Sequence, residues 1–416
     1  MYKTATVIKE LGSYDDAQLL LVSCDNEATN APIKAINYLA IGSRVKPDAK
    51  VIINTLALEL GLGTGGYAFV QPTVVHQETS SLAPQLQQSF LTCEASESLP
   101  LSPQSLQSPL VHEAPESPQS LQTPKLIQSP QSPLKLKSTQ GHIVKLRYTP
   151  LQHNVLAVEE PASPYHSLLA NAKDINGMPV VCCALHSQLP LVAAAIKSVM
   201  PDARIAYCMT DEAALMLAFS NLVRQCKQSG LIDTTISCGQ ATGGDLEAVS
   251  LYSGLLAARF VAKADASIVA IGPGNVGTST AFGNTGIAQG VALNAVSSLG
   301  GVPVCALRVS FADKRERHFG VSHHSIVALA NVCLTKCKVA LPASLPGSQR
   351  KAILQALEQN EIYGRHDVTD VWFNRDDICL RGVEVTSMGR NEIDDPSFFL
   401  TSLAAGVFCA ELLSSK

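Results

Sequence analysis

Charge is scarce in this chain of 416 residues. Asp, Glu, Lys and Arg make up 16% of it, and the net charge is −4 at pH 7. A low charged fraction implies that much of the chain is buried in packed elements. The slight negative balance speaks against broad, non-specific binding to nucleic acid. Aromatic residues are also few, at 5%, which removes the stacking platforms that hold single-stranded nucleic acid. No CxxC pair occurs among the twelve cysteines. Cys182 and Cys183 are adjacent, Cys333 and Cys337 are four apart, and most of the rest lie in apolar runs where a thiol behaves as a small hydrophobe. The N-terminus carries no signal-peptide pattern, so a reduced, cytoplasmic protein is expected. No charge falls between Asp265 and Arg308, yet eight glycines and many Thr, Ser and Asn residues interrupt that stretch. It has no apolar run of about eighteen residues, and no membrane span is expected there.

The chain has room for two or three domains. Residues up to about Pro72 read as short strands separated by turn signals: Ala5–Ile8, Leu19–Cys24, Ile33–Ile41 and Lys50–Asn54. They suit a small barrel. The glycine run Gly61–Gly66 has no helix after it and is a weak signal for a phosphate loop. From about His76 to Gln140 the composition turns to Ser, Pro, Gln and Leu, with Ser-Pro-Gln-Ser-Leu-Gln at Ser102–Gln107 and again at Ser117–Gln122. Such low-complexity sequence reads as a disordered insertion within a β-rich domain spanning residues 1–165. From Met178, apolar runs alternate with helical periods: Pro179–Leu185, Arg204–Met209, Leu231–Ser237, Ala266–Ile271, Pro303–Val309 and Lys338–Leu341 each precede a helical stretch. A final strand or hairpin at Ile378–Val385 and an apolar helix from about Ser397 complete the pattern. This is the signature of an α/β domain, 170–416, with a doubly wound, mostly parallel sheet.

Ligands of such sheets bind outside the carboxyl ends of the strands, and the first five expected strands here each end in a polar cluster. They are His186; Asp211; Gln240, Gly243, Gly244 and Asp245; Gly272, Gly274, Gly277 and Thr278; and a segment carrying Arg308, Ser310, Asp313, Arg315, Arg317, His318, His323 and His324. Five clusters on one edge imply a shared cleft. In the last of them Arg and His outnumber Lys and Glu, and those side chains read anions and move protons near neutral pH. Each residue also has a plainer role. Asp211 and Asp245 can cap helices, Ser322 can cap the helix bearing His323 and His324, His186 can be a bonded core histidine, and the charged segment can be a solvated loop. Gly272–Gly277 spells GxGxxG, but no Asp or Glu lies between Gly272 and Asp313. The ribose-binding acid of a dinucleotide site is therefore absent, and NAD is not expected.

The chain resembles a bacterial family known only as a domain of unknown function, family 3866. The resemblance rests on LGLGTGG at Leu60–Gly66, HIVKLRYTPLQ at His142–Gln152, YCMTDEAAL, GQATGGDLEAVS, GPGNVGTSTAFG, LRVSFADKRERHFGVSHHS and GRNEIDDPSFF. It covers nearly the whole chain except the Ser/Pro/Gln insertion and brings no activity with it. The residues support two expectations. One is an enzyme, such as a hydrolase, acting on a small anionic, phosphorylated or nucleotide-like metabolite. There Gly-rich strand ends and the arginines hold the anion, while Asp313 and a histidine (His318, His323 or His324) move protons. A divalent metal held by those histidines is a variant of it. The other is a non-catalytic sensor using the same cleft. Neither a membrane nor nucleic acid is an expected partner; homo-oligomerisation is compatible with the sequence.

Overall fold

The structure, a computed structural model, describes residues 2–14, 17–25, 31–39, 41–61, 66–72 and 141–415. The expected insertion and most of the Gly61–Gly66 run lie outside the described residues. Residues 1–72 and 133–416 belong to one compact unit.

Five strands open it: β1 (Tyr2–Tyr14), β2 (Ala17–Cys24), β3 (Ile33–Tyr38), β4 (Lys50–Asn54) and β5 (Tyr67–Val70). They close into a barrel in the order β1-β2-β3-β5-β4, with β3 and β5 parallel and the other pairs antiparallel. That is the strand order of the five-stranded OB barrel. Alternation does the folding work: Leu20 and Val22 of β2 point inward with Ala5, Val7, Ala35, Val51 and Ile53. Register shifts between Val7 and Lys9 and between Glu10 and Gly12 let the long β1 bend around the closure.

A short hairpin, β6 (Ile143–Lys145) and β7 (His153–Val155), ties barrel to sheet. On the barrel side Asn54 Nδ2 donates to the carbonyls of Pro150 (3.1 Å) and Gln152 (2.8 Å). On the sheet side the fully buried Lys145 donates to the carbonyls of Ser237, Ala241 and Ala248 and pairs with Glu247 at 3.0 Å.

The larger sheet is built from β8 (Pro179–Cys183), β9 (Ile205–Thr210), β10 (Thr234–Ser237), β11 (Leu246–Glu247), β12 (Ala266–Ile271) and β13 (Val302–Ala306). After a small ribbon, β14 (Val309–Ser310) and β15 (Gly320–Val321), it finishes with β16 (Lys338–Pro342) and β17 (Asp367–Val371). All eight of its strands run parallel, in the order β11-β10-β9-β12-β8-β13-β16-β17. Strands β8, β9, β10 and β12 are buried at every residue, as a sheet covered on both faces requires. One face packs on the helices Leu189–Val199, Asn221–Gln228 and Pro396–Ser414. The other packs on Leu251–Phe260, Ala288–Ser298 and Gly347–Gln359. The fold is α/β and doubly wound, behind a barrel. The helix Pro396–Ser414 is long and apolar enough to cross a membrane, but most of it is buried against the helix Leu189–Val199 and the sheet.

Two local expectations differ from what is found. The eighth strand is Asp367–Val371, and Ile378–Val385 is irregular chain that turns Ile378, Val383 and Val385 into the core. The sequence DVTDV hides that strand, because an edge strand needs no continuous apolar run. The helical stretch expected straight after Arg204–Met209 begins only at Asn221, where Ser220 Oγ accepts from the Val223 N–H.

Candidate functional site

The chain leaves β8 and β9 over one face and β12 and β13 over the other. Because the strand order is β9-β12-β8-β13, neighbouring strands send their loops to opposite faces three times in succession. Each reversal opens a crevice at the carboxyl edge, and the loops after β12 and β13 meet there.

At this meeting Arg308, 5% exposed, lies two residues past the end of β13. Its guanidinium lies 3.6 Å from Asp313 and makes no hydrogen bond to a described residue, so its donor fork is unfilled. Asp313 is instead clamped by Arg315, whose Nε and Nη2 donate to its two oxygens at 2.9 and 2.7 Å. Arg390 approaches Asp313 at 3.4 Å and donates from Nε to Asp395 at 3.1 Å. Ser310 Oγ donates to Asp395 at 2.6 Å and accepts from the Asp313 N–H at 3.0 Å. The Arg315 hydrogen bonds hold the Asp313 carboxyl well below the usual carboxylate range. Burial, then the charge of Arg315, lowers Arg308 to about 10. With Arg317, four guanidinium groups face two carboxylates. The cluster carries excess positive charge.

The three histidines have distinct situations. His318 is buried and saturated: its Nδ1 meets Ser322 Oγ at 2.8 Å, and its Nε2 accepts from Arg317 Nε at 3.3 Å. A ring nitrogen that accepts carries no proton, so the proton sits on Nδ1 and the tautomer is fixed. Burial and the Arg308 charge push His318 down to about 3. His323 is half-buried, with Nε2 3.4 Å from the Thr280 carbonyl. His324, 4% exposed, has no partner for either ring nitrogen. Burial first, then Arg308, His323 and Arg317, lower it to about 4, so the ring is neutral at pH 7. Ser322 caps this turn by accepting from the His324 N–H, as the sequence suggests. His324 lies edge-on to His318, ring centroids 4.8 Å apart.

The glycines after β12 wall this ring. A Cβ on Gly277 would come within 3.0 Å of His324 Nε2, and one on Gly286 within 2.9 Å of His324 Cβ. Thr278 closes the intervening loop by donating from N and Oγ1 to the Gly283 carbonyl. Ser279 Oγ accepts from Arg317 at 3.5 Å. Sequence reasoning thus gathers Gly277, Thr278, Arg308, Ser310, Asp313, Arg315, Arg317, His318, His323 and His324 into one place. It missed Arg390 and Asp395, which complete the charge network. Their only signal was the GRNEIDDP run, noted for its family resemblance.

The remaining expected residues lie elsewhere on the edge, so the five clusters do not form one cleft. Gly272 and Gly274 line a cleft of about 570 Å³ with His186, Ser187, Asn275 and Glu384. His186 is a bonded core histidine, with Nε2 2.7 Å from Ser220 Oγ and Nδ1 3.2 Å from the Tyr207 hydroxyl; burial lowers it to about 4. Asp211 caps no helix. It accepts from the Gln240 N–H at 2.7 Å and fixes the turn where Gly239 takes φ +64°. Asp245 pairs with Lys227 and accepts from Thr235 N–H and Oγ1. Gly243 and Gly244 border a cavity of about 370 Å³ against the barrel. Their N–H groups are already taken by Glu247 and Ser237, and the strand β11 follows them, so they cradle no anion at a helix N-terminus. The first helix after them starts at Leu251 behind Ser250.

The divalent-metal variant finds no support in the histidines. Both His318 nitrogens are engaged by protein. Among the described residues, the one group of His, Cys or carboxylate ligands close enough to share an ion is Cys333, Cys337 and His366.

A five-stranded barrel followed by an eight-stranded parallel sheet, with an arginine- and histidine-rich cluster at its carboxyl edge, defines the class of molecule. The chain belongs to the family described as Protein of unknown function (DUF3866), whose model matches residues 34–88 and 124–406. The unmatched stretch between the two segments falls inside the Ser/Pro/Gln-rich insertion. No curated protein and no solved structure matches the chain.

Proposed function

We propose that the crevice between the loops after β12 and β13 binds a small anionic metabolite, phosphorylated or nucleotide-like. We further propose that the protein is an enzyme, hydrolytic in the simplest case, in which His324 transfers the proton. The observation that carries this reading is the unfilled guanidinium of Arg308 beside the unpartnered ring of His324, inside a cluster with excess positive charge. The ring nitrogens of His324 are buried without a partner, and such a group costs about 1–3 kcal/mol. A bound oxyanion would accept from the arginine fork and from a protonated His324. Asp313 keeps the arginines from repelling one another and holds Arg315 in place. It is too firmly ionised to act as an acid. Arg315 and Arg317, at the outer rim, supply charge that draws the anion in.

Two experiments in sequence test this. Sulfate, phosphate and nucleotides should raise the melting temperature of wild type, and Arg308→Lys should blunt that rise, because a point charge replaces the planar fork. No response to any anion sinks the binding reading. A screen of phosphoesters and nucleotides then separates enzyme from sensor. Turnover in wild type that falls by about 10²–10⁴-fold in a folded, anion-binding His324→Ala variant supports the catalytic histidine. Binding without turnover assigns the pocket to a sensor.

A further inference from the structure

A second cluster lies on the sheet face covered by the helices Ala288–Ser298 and Gly347–Gln359, apart from the arginine pocket. Cys333, Cys337 and His366 are 0%, 1% and 3% exposed, and their ligand atoms all lie within 4.8 Å of one another. Three donors around one trigonal ion, at about 2.3 Å for sulfur and 2.0 Å for nitrogen, would stand roughly 4 Å apart. Only small side-chain adjustments separate the two arrangements.

Proximity alone would be ordinary for buried thiols. The hydrogen bonds around His366 say more. Its Nε2 is 3.1 Å from the Leu329 carbonyl, which can only accept. The proton therefore sits on Nε2, and the Nδ1 lone pair faces Cys337, accepting from its N–H at 3.3 Å and lying 3.4 Å from its Sγ, so that a bound ion would replace the N–H contact. A ring nitrogen anchored on a backbone carbonyl while the other faces the ligand position is how metal-binding histidines are held. The anchoring carbonyl belongs to a π-helical turn, Ala328–Val332, that leads straight into Cys333. Such turns interrupt the usual ladder and gather at functional sites. Arg365 donates to the carbonyls of Ala330 and Cys333, so the turn, the cysteine and the histidine are fixed as one piece. The residues between the two cysteines reach the surface: Leu334 is 81% exposed and the Lys336 side chain 65%.

We propose that Cys333, Cys337 and His366 form a binding site for a single soft d¹⁰ metal ion, with Cu(I) as the ion that fits. Thiolates select soft ions. Zn(II) held by three protein ligands, a set of two Cys and one His included, completes its shell with a water, whereas these three donors are only 0%, 1% and 3% exposed. Binding replaces two S–H bonds by two metal–sulfur bonds and releases two protons to solvent; nothing is oxidised or reduced. Two thiolates, a neutral imidazole and a monovalent ion leave one negative charge, and the Arg365 guanidinium beside Cys333 offsets it.

The whole protein, reduced and handled without oxygen, would be titrated with Cu(I) against a chromogenic Cu(I) chelator, and separately with Zn(II). The expected result is one Cu(I) per chain, with X-ray absorption showing two sulfurs and one nitrogen at the metal. His366→Gln should weaken binding at least about tenfold to hundredfold, and Cys333→Ser should abolish it while circular dichroism stays unchanged. Should Cys333→Ser fail to fold, His366→Gln carries the test alone. Unchanged Cu(I) stoichiometry or affinity in either folded variant would overturn the proposal, as would tight Zn(II) binding with no Cu(I) binding. So would a protein that takes up neither ion. The arginine pocket shares none of these residues, so either proposal can fail without the other.

Discussion

An anion entering the arginine pocket should bring a proton with it. His324 is neutral at pH 7 because burial and the surrounding arginines lower it to about 4. A single negative charge about 4 Å from the ring, at an effective dielectric constant of about 20, contributes about 4 kcal/mol. At 1.36 kcal/mol per unit that is close to three pKa units, enough to lift His324 to about 7. At pH 7, binding should therefore take up at least about half a proton, more for a doubly charged anion. His318 starts at about 3 with both nitrogens engaged, and it stays neutral. Sulfate is the ligand of choice, since it does not titrate near neutrality itself. Calorimetry at pH 7 in two buffers of different ionisation enthalpy reads the uptake directly. Wild type and His323→Ala should show it, whereas His324→Ala should bind sulfate with no buffer dependence. Binding to wild type with the same heat in both buffers, or undiminished uptake in His324→Ala, would refute the reasoning.

Three further outcomes follow from the same geometry. Gly286→Ala would place a methyl group 2.9 Å from His324 Cβ. It should cost about 1–3 kcal/mol in urea denaturation and remove sulfate stabilisation, while Gly347→Ala, with open space around it, should do neither. His186, His318 and His324 are depressed to about 4, 3 and 4, so the unfolded chain binds protons below about pH 6.5 that the native state refuses. Stability should be complete above that pH and fall toward pH 4, by at most about 1.4 kcal/mol per pH unit for each group. His318→Asn should flatten the profile, and a flat wild-type profile between pH 6.5 and 4.5 would contradict the burial of these rings. Lys145→Met strands three carbonyls and Glu247. A loss of about 3–5 kcal/mol is expected, partly recovered in the double variant with Glu247→Gln.

The fold was legible wherever burial imposes a pattern. Strands such as Ala266–Ile271, covered on both faces, must be apolar throughout, and the barrel strands must alternate. DVTDV at the sheet edge is under neither constraint and escaped notice. The site was legible in its densest part, because Arg308 to His324 is contiguous. What composition could not convey is which partners saturate a polar group. Asp211 and Asp245 look like site acids in one dimension and prove to be fastened to Gln240 and to Lys227 and Thr235. His318 and His324 read alike in the sequence, yet one has both nitrogens bonded and the other has neither. Arg390 and Asp395 reach the pocket from more than seventy residues beyond Asp313, a distance no local pattern spans.

The order β9-β12-β8-β13 also dictates a timetable. The first strand of the parallel sheet, Pro179–Cys183, becomes one of its innermost, yet both of its neighbours come much later in the chain, from Ala266 and from Val302. Until then β8 has no partner on either side, and β9 to β11 can pair only with one another. Closing so long a span costs chain entropy before any ladder repays it, which makes late parallel pairing slow. The crevice that holds His324 is bounded by the loops after β12 and β13, so its walls come into being with the last central pairings, before Arg390 and Asp395 are added. A half-assembled chain would expose the apolar edge of Val180–Cys182 for the whole interval. Chaperone capture during synthesis should therefore fall between the emergence of β8 and that of β13.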